Sequence, residues 1–457
     1  MFDLERDFDK KVHFIGIGGI SMSALAEILL EYGYKVSGSD RAKSHLTDKL
    51  QAMGAKIFIG HDAKNIEDAD IVVYTAAVKD DNPELMEARS RKLIIYDRAE
   101  FLGQIMKRYK KGVAIAGTHG KTTTTSLVSL MLLRANLDPT LMIGGEVDIL
   151  GGNVRVGKSP YFVTEACEYK ESFLKFYPFI GVILNIDADH LDYYKDINHI
   201  KEAFLKFGKL IPKDGLVVGY AEDKNVIEIF KDLECNKLTY GINRGDFQAV
   251  EIRYDEKGCA SFKVNLNDKL YGDFKLSIPG EHNVLNALAT IACGHFLGID
   301  VETIKNSLLE FKGTHRRFEK KGEKNGIVVI DDYAHHPAEI KATIKAAKNY
   351  PHKKIYCVFQ PHTYTRTYTL FDEFSTAFLG VDKLILTDIY AAREKDTGLV
   401  NSKMLSDAVV KHGVDSIYIK DFDEIVNYLE GELKEGDLLI TMGAGDVYKI
   451  GEMFLKK

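Results

Sequence analysis

The stretch Gly112-Val-Ala-Ile-Ala-Gly117-Thr118-His119-Gly120-Lys121-Thr122-Thr123-Thr-Thr-Ser126 sets a glycine-rich turn between a short apolar run and a segment of helical character. Such a turn aims backbone N–H groups and the positive end of the following helix at one point, where anionic oxygens are favoured. Lys121 can neutralise the outer phosphates of a nucleotide, and the Thr122 hydroxyl can ligate Mg²⁺. The usual pattern has glycine or alanine where Ile115 stands. The strand, turn and helix setting therefore identifies the phosphate loop better than the bare pattern does.

Upstream, the sequence predicts a strand over 12–17, a glycine turn, a helix over 22–32 and a second strand over 35–38 followed by Asp40. That is a β-α-β unit. Gly16-Ile-Gly18-Gly19-Ile-Ser21 approaches the dinucleotide fingerprint, with Ser21 in place of the third glycine and Asp40 near the position of a ribose-binding acid. Two readings stay open: a nicotinamide-dependent oxidoreductase, or a helix N-terminus carrying a sugar-nucleotide diphosphate. Hydride transfer has no need of a second loop bearing Lys121 and Thr122, which favours the latter.

Further apolar runs over 56–59, 71–74 and 93–96 continue a parallel doubly wound sheet, and the basic segment 107–112 reads as a linker. Beyond the phosphate loop come strands over 161–164 and 181–185, an antiparallel ribbon within 248–278 and a helix over 283–297. The character changes at 313–319, and strands over 327–330, 354–359, 383–386 and 438–441 then alternate with helical patterns. With 457 residues and a prior of roughly 150 per domain, three α/β domains are expected, at 1–108, 109–313 and 314–457.

A net charge of −6 with interspersed signs gives no nucleic-acid footprint. No apolar run reaches the ~18 residues of a spanning helix, and the charged start predicts no secretory signal. Cys167, Cys235, Cys259, Cys293 and Cys357 are widely spaced without a Cys-x-x-Cys pair, which points to reduced thiols and a cytoplasmic enzyme acting on small molecules.

Polar clusters follow several predicted strands. Glu165-Ala-Cys167-Glu168 and Asp187-Ala-Asp189-His190-Leu-Asp192 fall at strand C-termini, the ligand edge of an open parallel sheet, so Glu165 and His190 are candidate metal ligands. Asp187, Asp189 and Asp192 serve equally well as helix caps. His282-Asn283-Val-Leu-Asn286 falls near a helix start, where Asn283 can cap and an amide suits adenine. Arg316-Arg317 reads by default as a surface basic pair. Asp331-Asp332-Tyr333-Ala-His335-His336-Pro337 and Gln360-Pro-His362-Thr363-Tyr-Thr-Arg366 again follow strands; His335 can meet an amine or its carboxylate, and Arg366 offers bidentate carboxylate recognition.

Taken together, Gly16-Ile-Gly-Gly-Ile-Ser-Met-Ser23, Gly117-Thr-His-Gly-Lys-Thr122, Asp189-His-Leu-Asp192, His282-Asn-Val-Leu-Asn286, Arg316-Arg-Phe318, Asp332-Tyr-Ala-His-His-Pro337 and Gln360-Pro-His362 resemble the ATP-dependent Mur ligases of peptidoglycan synthesis over all three domains, most closely the alanine-adding branch. The resemblance implies a Rossmann-like N-terminal UDP-sugar domain, a central P-loop ATPase domain with a mixed sheet, and a Rossmann-like C-terminal domain that receives the amino acid. By the same resemblance, Gly18, Gly19, Ser21 and Met22 face the UDP diphosphate, with Asp40 and His61 near the uridine. Gly117, Thr118, Gly120, Lys121, Thr122 and Thr123 hold ATP together with Asn286, Arg317 and Asp332. Thr122, Glu165 and His190 hold Mg²⁺ or Mn²⁺. Tyr333, His335 and Arg366 line an L-alanine site, and Lys121, Glu165, His190, Arg317 and His335 are the catalytic set.

The implied reaction joins L-alanine to the carboxylate of UDP-N-acetylmuramate through an acyl phosphate made with ATP, in a monomer or weak homodimer without nucleic acid or membrane insertion. A murein peptide ligase that joins a preformed peptide to the same sugar nucleotide is the alternative. Thr363 stands where the alanine-adding branch usually has arginine, and Cys167, Tyr169 and Lys170 interrupt an acidic stretch after Glu165. Ala76-Ala77 replaces a serine-bearing turn, and Phe204 occupies the place of the lysine that other branches carbamylate, with Lys206 out of register.

Overall fold

The computed structural model describes residues 2–4, 6–191, 193–392 and 394–457. Asp192, one of the candidate acids, lies outside them. The chain divides into two compact units, one comprising the residues up to Asp187 with Ile197–Phe247 and Ala289–Ser307, the other Ala188–Asp196, Gln248–Leu288 and Leu308–Lys457. Three sheets carry the α/β architecture.

In the first unit, β1 (Lys11–Ile15), β2 (Lys35–Asp40), β3 (Lys56–Ile59), β4 (Ile71–Tyr74) and β5 (Ile94–Asp97) form an all-parallel sheet in the order β3-β2-β1-β4-β5. The order reverses direction on the two sides of β1, where the glycine turn leads into the helix Ile20–Glu31. This is the switch point at which open parallel sheets bind ligands.

The same unit holds β6 (Lys111–Ala116), β7 (Thr140–Val147), β8 (Gly152–Arg155), β9 (Tyr161–Ala166), β10 (Ile180–Ile183), β11 (Leu216–Tyr220) and β12 (Asn236–Gly241), ordered β12-β11-β10-β6-β9-β7-β8. All pairs among them are parallel except β7 with β8. Val113, Ala114, Ile115 and Ala116 are wholly buried, as expected of a central parallel strand with covered faces. The two sheets are tied by Asn153, whose Nδ2 donates to the Ile20 carbonyl at 3.1 Å, and by Lys175, which pairs with Asp97 and Glu100.

In the second unit, β13 (Phe247–Tyr254), β14 (Cys259–Leu266) and β15 (Lys269–Pro279) form the antiparallel ribbon that leads into the helix Glu281–Phe296. A six-stranded sheet follows, built from β16 (Glu319–Lys324), β17 (Ile327–Asp332), β18 (Ile355–Phe359), β19 (Lys383–Leu386), β20 (Ser416–Tyr418) and β21 (Leu438–Met442) in the order β16-β17-β21-β18-β19-β20. Only β16 runs antiparallel to its neighbour. Alternate residues of these strands feed two separate cores: Ile330, Cys357, Leu384 and Ile440 one, Val329, Val358, Ile385 and Leu439 the other. That is the two-fold periodicity of a sheet covered on both faces, each large aliphatic side chain contributing about 1.5–3 kcal/mol by burial.

Several boundaries correct the sequence expectation. Lys111 and Gly112 belong to β6, so the linker is shorter than 107–112. Glu165 is inside β9, and Asp331 and Asp332 are inside β17, rather than past their ends. Asn283 lies within the helix that begins at Glu281, so it is not the cap. β7 and β8 were not expected: Gly144, Gly145 and Gly152 dilute their pattern. Neither was β16, whose Glu-Lys-Lys-Gly-Glu-Lys sequence suits a solvent-facing edge.

Candidate functional site

The phosphate loop follows β6 at the centre of its sheet. Gly120 caps the helix Lys121–Arg134 with φ +87°, a conformation that costs glycine little, and offers no side chain to the first-turn amides. Those N–H groups stay available to an anion. Asn185, just past β10, clamps the loop from the neighbouring strand: its Oδ1 accepts from the His119 N–H at 2.8 Å and its Nδ2 donates to the His119 carbonyl at 3.1 Å. Asp187 donates its N–H to the Thr118 hydroxyl at 3.0 Å.

Lys121 folds back over this loop. Its ammonium donates to the carbonyls of Gly117 and Thr118 and lies 3.1 Å from Glu168 Oε2. Burial works against the charge, but the carboxylates of Glu168 and Glu165 outweigh it and raise the Lys121 pKa. Glu165 is held in turn by Gly144, whose N–H donates to Oε1 at 2.8 Å. A Cβ on Gly144 would stand 2.6 Å from that oxygen, so this residue must be glycine for the carboxylate to lie where it does.

At the switch point of the first sheet, the Gly18 N–H donates to Asp40 Oδ2 at 2.8 Å, and Asp40 Oδ1 accepts from the Arg41 N–H at 2.7 Å. Asp40 therefore shapes the glycine loop. Gly19 caps the helix Ile20–Glu31 without a side-chain bond, and the Met22 side chain is buried, so only the Met22 backbone can face a ligand. His61 Nδ1 lies 3.2 Å from Glu84 Oε2, an oxygen that also accepts from Ser39 Oγ at 2.6 Å. Glu84 is wholly buried; burial raises its pKa, but hydrogen bonds from Ser39 and Asn65 and the His13 imidazole 3.9 Å away outweigh this and bring it down to about 2.

In the second unit, Asn286 and Asn283 share one helix face, Asn286 Nδ2 donating to Asn283 Oδ1 at 3.0 Å. Arg316 is not a surface residue. Its guanidinium pairs with Asp331 at 2.8 Å and donates to the carbonyls of Gly443 and Gly445. The guanidinium groups of Arg316 and Arg317 both lie over the Tyr333 ring, each at 5.1 Å. Asp332 accepts from the N–H groups of Phe318 and Ala334, and burial raises its carboxyl to about 6 despite Arg317. Its oxygens thus form the turn that presents Arg317.

Asp189 does not cap a helix. It meets Arg366, whose Nε and Nη2 lie 3.3 and 3.2 Å from Oδ1. His190, with φ +54°, follows directly and donates its N–H to Asp189 Oδ1 at 2.7 Å. Asp189, His190, Thr363, Thr365 and Arg366 line a small cavity of about 40 Å³. His336 caps the helix Pro337–Lys348, whereas the His335 ring packs edge-on against Tyr333 and against His362. Burial lowers the pKa of His335 to about 4 and that of His362 to about 3, so both are neutral at physiological pH.

Three family models match the chain in succession: the Mur ligase family catalytic domain over residues 11–110, the Mur ligase middle domain over 115–294, and the Mur ligase glutamate ligase domain over 316–445. The chain belongs to the Mur ligase family. This Mur ligase is 60% identical to the UDP-N-acetylmuramate–L-alanine ligase of Clostridium tetani over 447 residues, 98% of each chain. Its fold is similar to the solved UDP-N-acetylmuramate–alanine ligase of Thermotoga maritima, with a TM-score of 0.83, 34% identity and 98% of both chains covered. It is less similar to a murein peptide ligase of Psychrobacter arcticus, with a TM-score of 0.73 and 25% identity over 98% of both chains.

Sequence reasoning on this Mur ligase missed Glu84, Gly144, Glu168, Asn185, Asp189 as an ion-pair partner, and His362. Apart from His362, each acts across a separation that no local pattern encodes. His362 alone had a usable signal, its place four residues before Arg366, one helical turn away.

Proposed function

We propose that this Mur ligase joins L-alanine to the carboxylate of UDP-N-acetylmuramate with ATP, the first amino-acid addition in peptidoglycan precursor synthesis. The observation that carries the reading is the full-length likeness to the Clostridium tetani ligase of that name. We place the domain boundaries at 1–108, 109–313 and 314–457, with the reaction in the cytoplasm, which supplies ATP and keeps the five free cysteines reduced.

The muramoyl carboxylate attacks the γ-phosphate, giving an acyl phosphate and ADP. The amine of alanine then adds to the acyl carbon, and the tetrahedral intermediate expels phosphate. Neither step uses a protein nucleophile, so the residues bind, orient and neutralise charge. In the first unit, the loop amides from Gly117 to Thr123 hold the phosphates, and Lys121 turns from Glu168 to the transferring group. Gly18, Gly19, Ser21 and the Met22 backbone face the diphosphate of the sugar nucleotide, with Asp40 and His61 beside the uridine. The resemblance to the family assigns Asn286, Arg317 and Asp332 to the nucleotide and Tyr333, His335 and Arg366 to the amino acid.

The donor set near the loop fits a hard divalent cation. Thr122 offers a hydroxyl, and Glu165 keeps Oε2 while Oε1 is held by Gly144. Thr122 and Glu165 would hold Mg²⁺, which when bound neutralises phosphate charge, and the resemblance to the family makes His190 a further candidate ligand.

The test is phosphate release with ATP, Mg²⁺ and UDP-N-acetylmuramate, comparing L-alanine, other amino acids and the L-Ala-γ-D-Glu-meso-diaminopimelate peptide. Turnover with L-alanine is expected. Turnover with the peptide alone would move the enzyme to the peptide-joining branch, and none with any acceptor would overturn the reading.

A further inference from the structure

Three lysines open three neighbouring strands. Lys11, Lys35 and Lys56 are the first residues of β1, β2 and β3, which places them at the edge of the parallel sheet opposite the glycine turn. At about 3.3 Å per residue, the five residues of β1 separate the two edges by roughly 15 Å. In the parallel register Lys11 stands beside Lys35, and Lys56 beside Ser37, two residues further along β2. Register partners and residues two apart share a face, so the three lysine stems and the Ser37 hydroxyl leave the sheet on one side. Like charges side by side on adjacent strands are destabilising. Lys11 is only loosely compensated, its Nζ 3.9 Å from Asp68 Oδ2, and among the described residues no carboxylate lies within ion-pair distance of Lys35, Lys56 or Lys64.

These side chains line a cavity of about 300 Å³ together with Lys64, from the short helix Ala63–Ile66. Glu67 and Asp68 border it as well, so four ammonium groups face two carboxylates and the cavity keeps two positive charges in excess. Its polar walls are anchored from within the fold. Ser37 Oγ lies 2.9 Å from Nδ1 of His13, which is wholly buried; with the hydrogen on Nδ1, the hydroxyl keeps its own for a ligand. Asn65 donates to the Gly60 carbonyl and to the buried Glu84, which fixes the turn that carries Lys64.

We infer that this cavity binds a small phosphorylated molecule carrying at least two negative charges, at a site that shares no residue with the glycine turn or the phosphate loop. Ammonium groups on flexible stems are point donors suited to phosphate oxygens, and Ser37 adds a neutral donor. The two carboxylates beside the lysines and the net charge of −6 oppose an extended polyanion such as nucleic acid or an anionic membrane, whereas a compact ligand needs only the local excess.

The experiment is isothermal titration of the full chain with pyrophosphate, without divalent metal and with ADP and UDP-N-acetylmuramate in excess, so that the phosphate loop and the glycine turn are already filled. One pyrophosphate per chain is expected, with an affinity that falls as salt rises. Lys35→Gln combined with Lys56→Gln should weaken binding by at least about 10-fold, the loss expected when hydrogen bonds to a charged group are removed. Both positions are exposed, so neither change should disturb the fold. Lys35→Arg combined with Lys56→Arg keeps the charge and should stay within about 3-fold of wild type on the same reasoning. Pyrophosphate should also raise the Tm of the wild type and not that of the glutamine variant. Absence of binding to the wild type, or equal affinity in the glutamine variant, would overturn the inference. Flotation with phosphatidylglycerol vesicles tests the other source of phosphate: no binding is expected, and binding that is lost in the glutamine variant would replace the small molecule by a lipid headgroup. None of these readouts depends on turnover, so they stand whether or not L-alanine is the acceptor.

Discussion

Arg366 and Asp189 form an ion pair in which Nε and Nη2 converge on the single oxygen Oδ1, at 3.3 and 3.2 Å, with both side chains nearly buried. Burial alone would raise the Asp189 carboxyl, but Arg366 outweighs it and holds the carboxyl well below the usual range. Asp189→Ala should therefore destabilise the fold by about 3 kcal/mol, because it leaves a buried guanidinium without its counter-charge. Removing both partners, Asp189→Ala with Arg366→Met, should cost less than the sum of the two single changes. Urea unfolding of the four proteins measures this coupling, and additive losses would show that the pair is not an energetic unit.

Lys121 and Glu168 make a second buried pair, at 3.1 Å with Glu168 only 3% exposed. Lys121→Ala is expected to abolish phosphate release and also to destabilise, since Glu168 stays buried without an ammonium. Adding Glu168→Gln should restore much of the stability and none of the turnover. Recovery of turnover in the double variant would mean that Lys121 serves only to neutralise Glu168.

The strands that carry the sites were legible because their apolar runs are short and continuous, as in β6 and β19, whose residues are buried on both faces. The loops after them were legible because glycine, lysine and threonine at that spacing have few other uses. What the sequence hid was the partner of each functional group. Arg316 read as a surface residue because nothing local announces Asp331, fifteen positions on, or the carbonyls of Gly443 and Gly445. Asp189 read equally as a cap or a metal ligand because its guanidinium partner lies 177 residues away in sequence. Glu84 was invisible for the same reason: it sits on the helix Pro83–Ser90 and meets Ser39 on β2 and His61 just past β3 only once that helix packs on the sheet.

Gly144 holds the Glu165 carboxylate by a 2.8 Å hydrogen bond and leaves no room for a methyl group. Gly144→Ala should displace Glu165 and weaken divalent-metal binding by about 10- to 100-fold, the usual loss when the partner of a metal ligand is disturbed. Mn²⁺ titration followed by electron paramagnetic resonance reads this directly, together with the Mg²⁺ dependence of phosphate release. Unchanged Mn²⁺ affinity would remove Glu165 from the metal site.

Glu84 gives the N-terminal sheet a pH dependence whose sign follows from its environment. Its carboxyl is lowered from 4.5 to about 2, so the folded state favours the charged form more than the unfolded chain does. The stabilisation is fully present above about pH 4.5 and is lost as pH falls toward 2. A shift of that size is worth about 3 kcal/mol at neutral pH. Glu84→Gln keeps the volume and one acceptor but not the charge, so its deficit against wild type should hold level from pH 7 to about 4.5 and shrink as pH falls below that. Urea unfolding of both proteins at several pH values between 7 and 3 tests this. A deficit that stays constant with pH would show that the hydrogen-bond geometry around Ser39, Asn65 and His61, rather than the buried charge, is what Glu84 contributes.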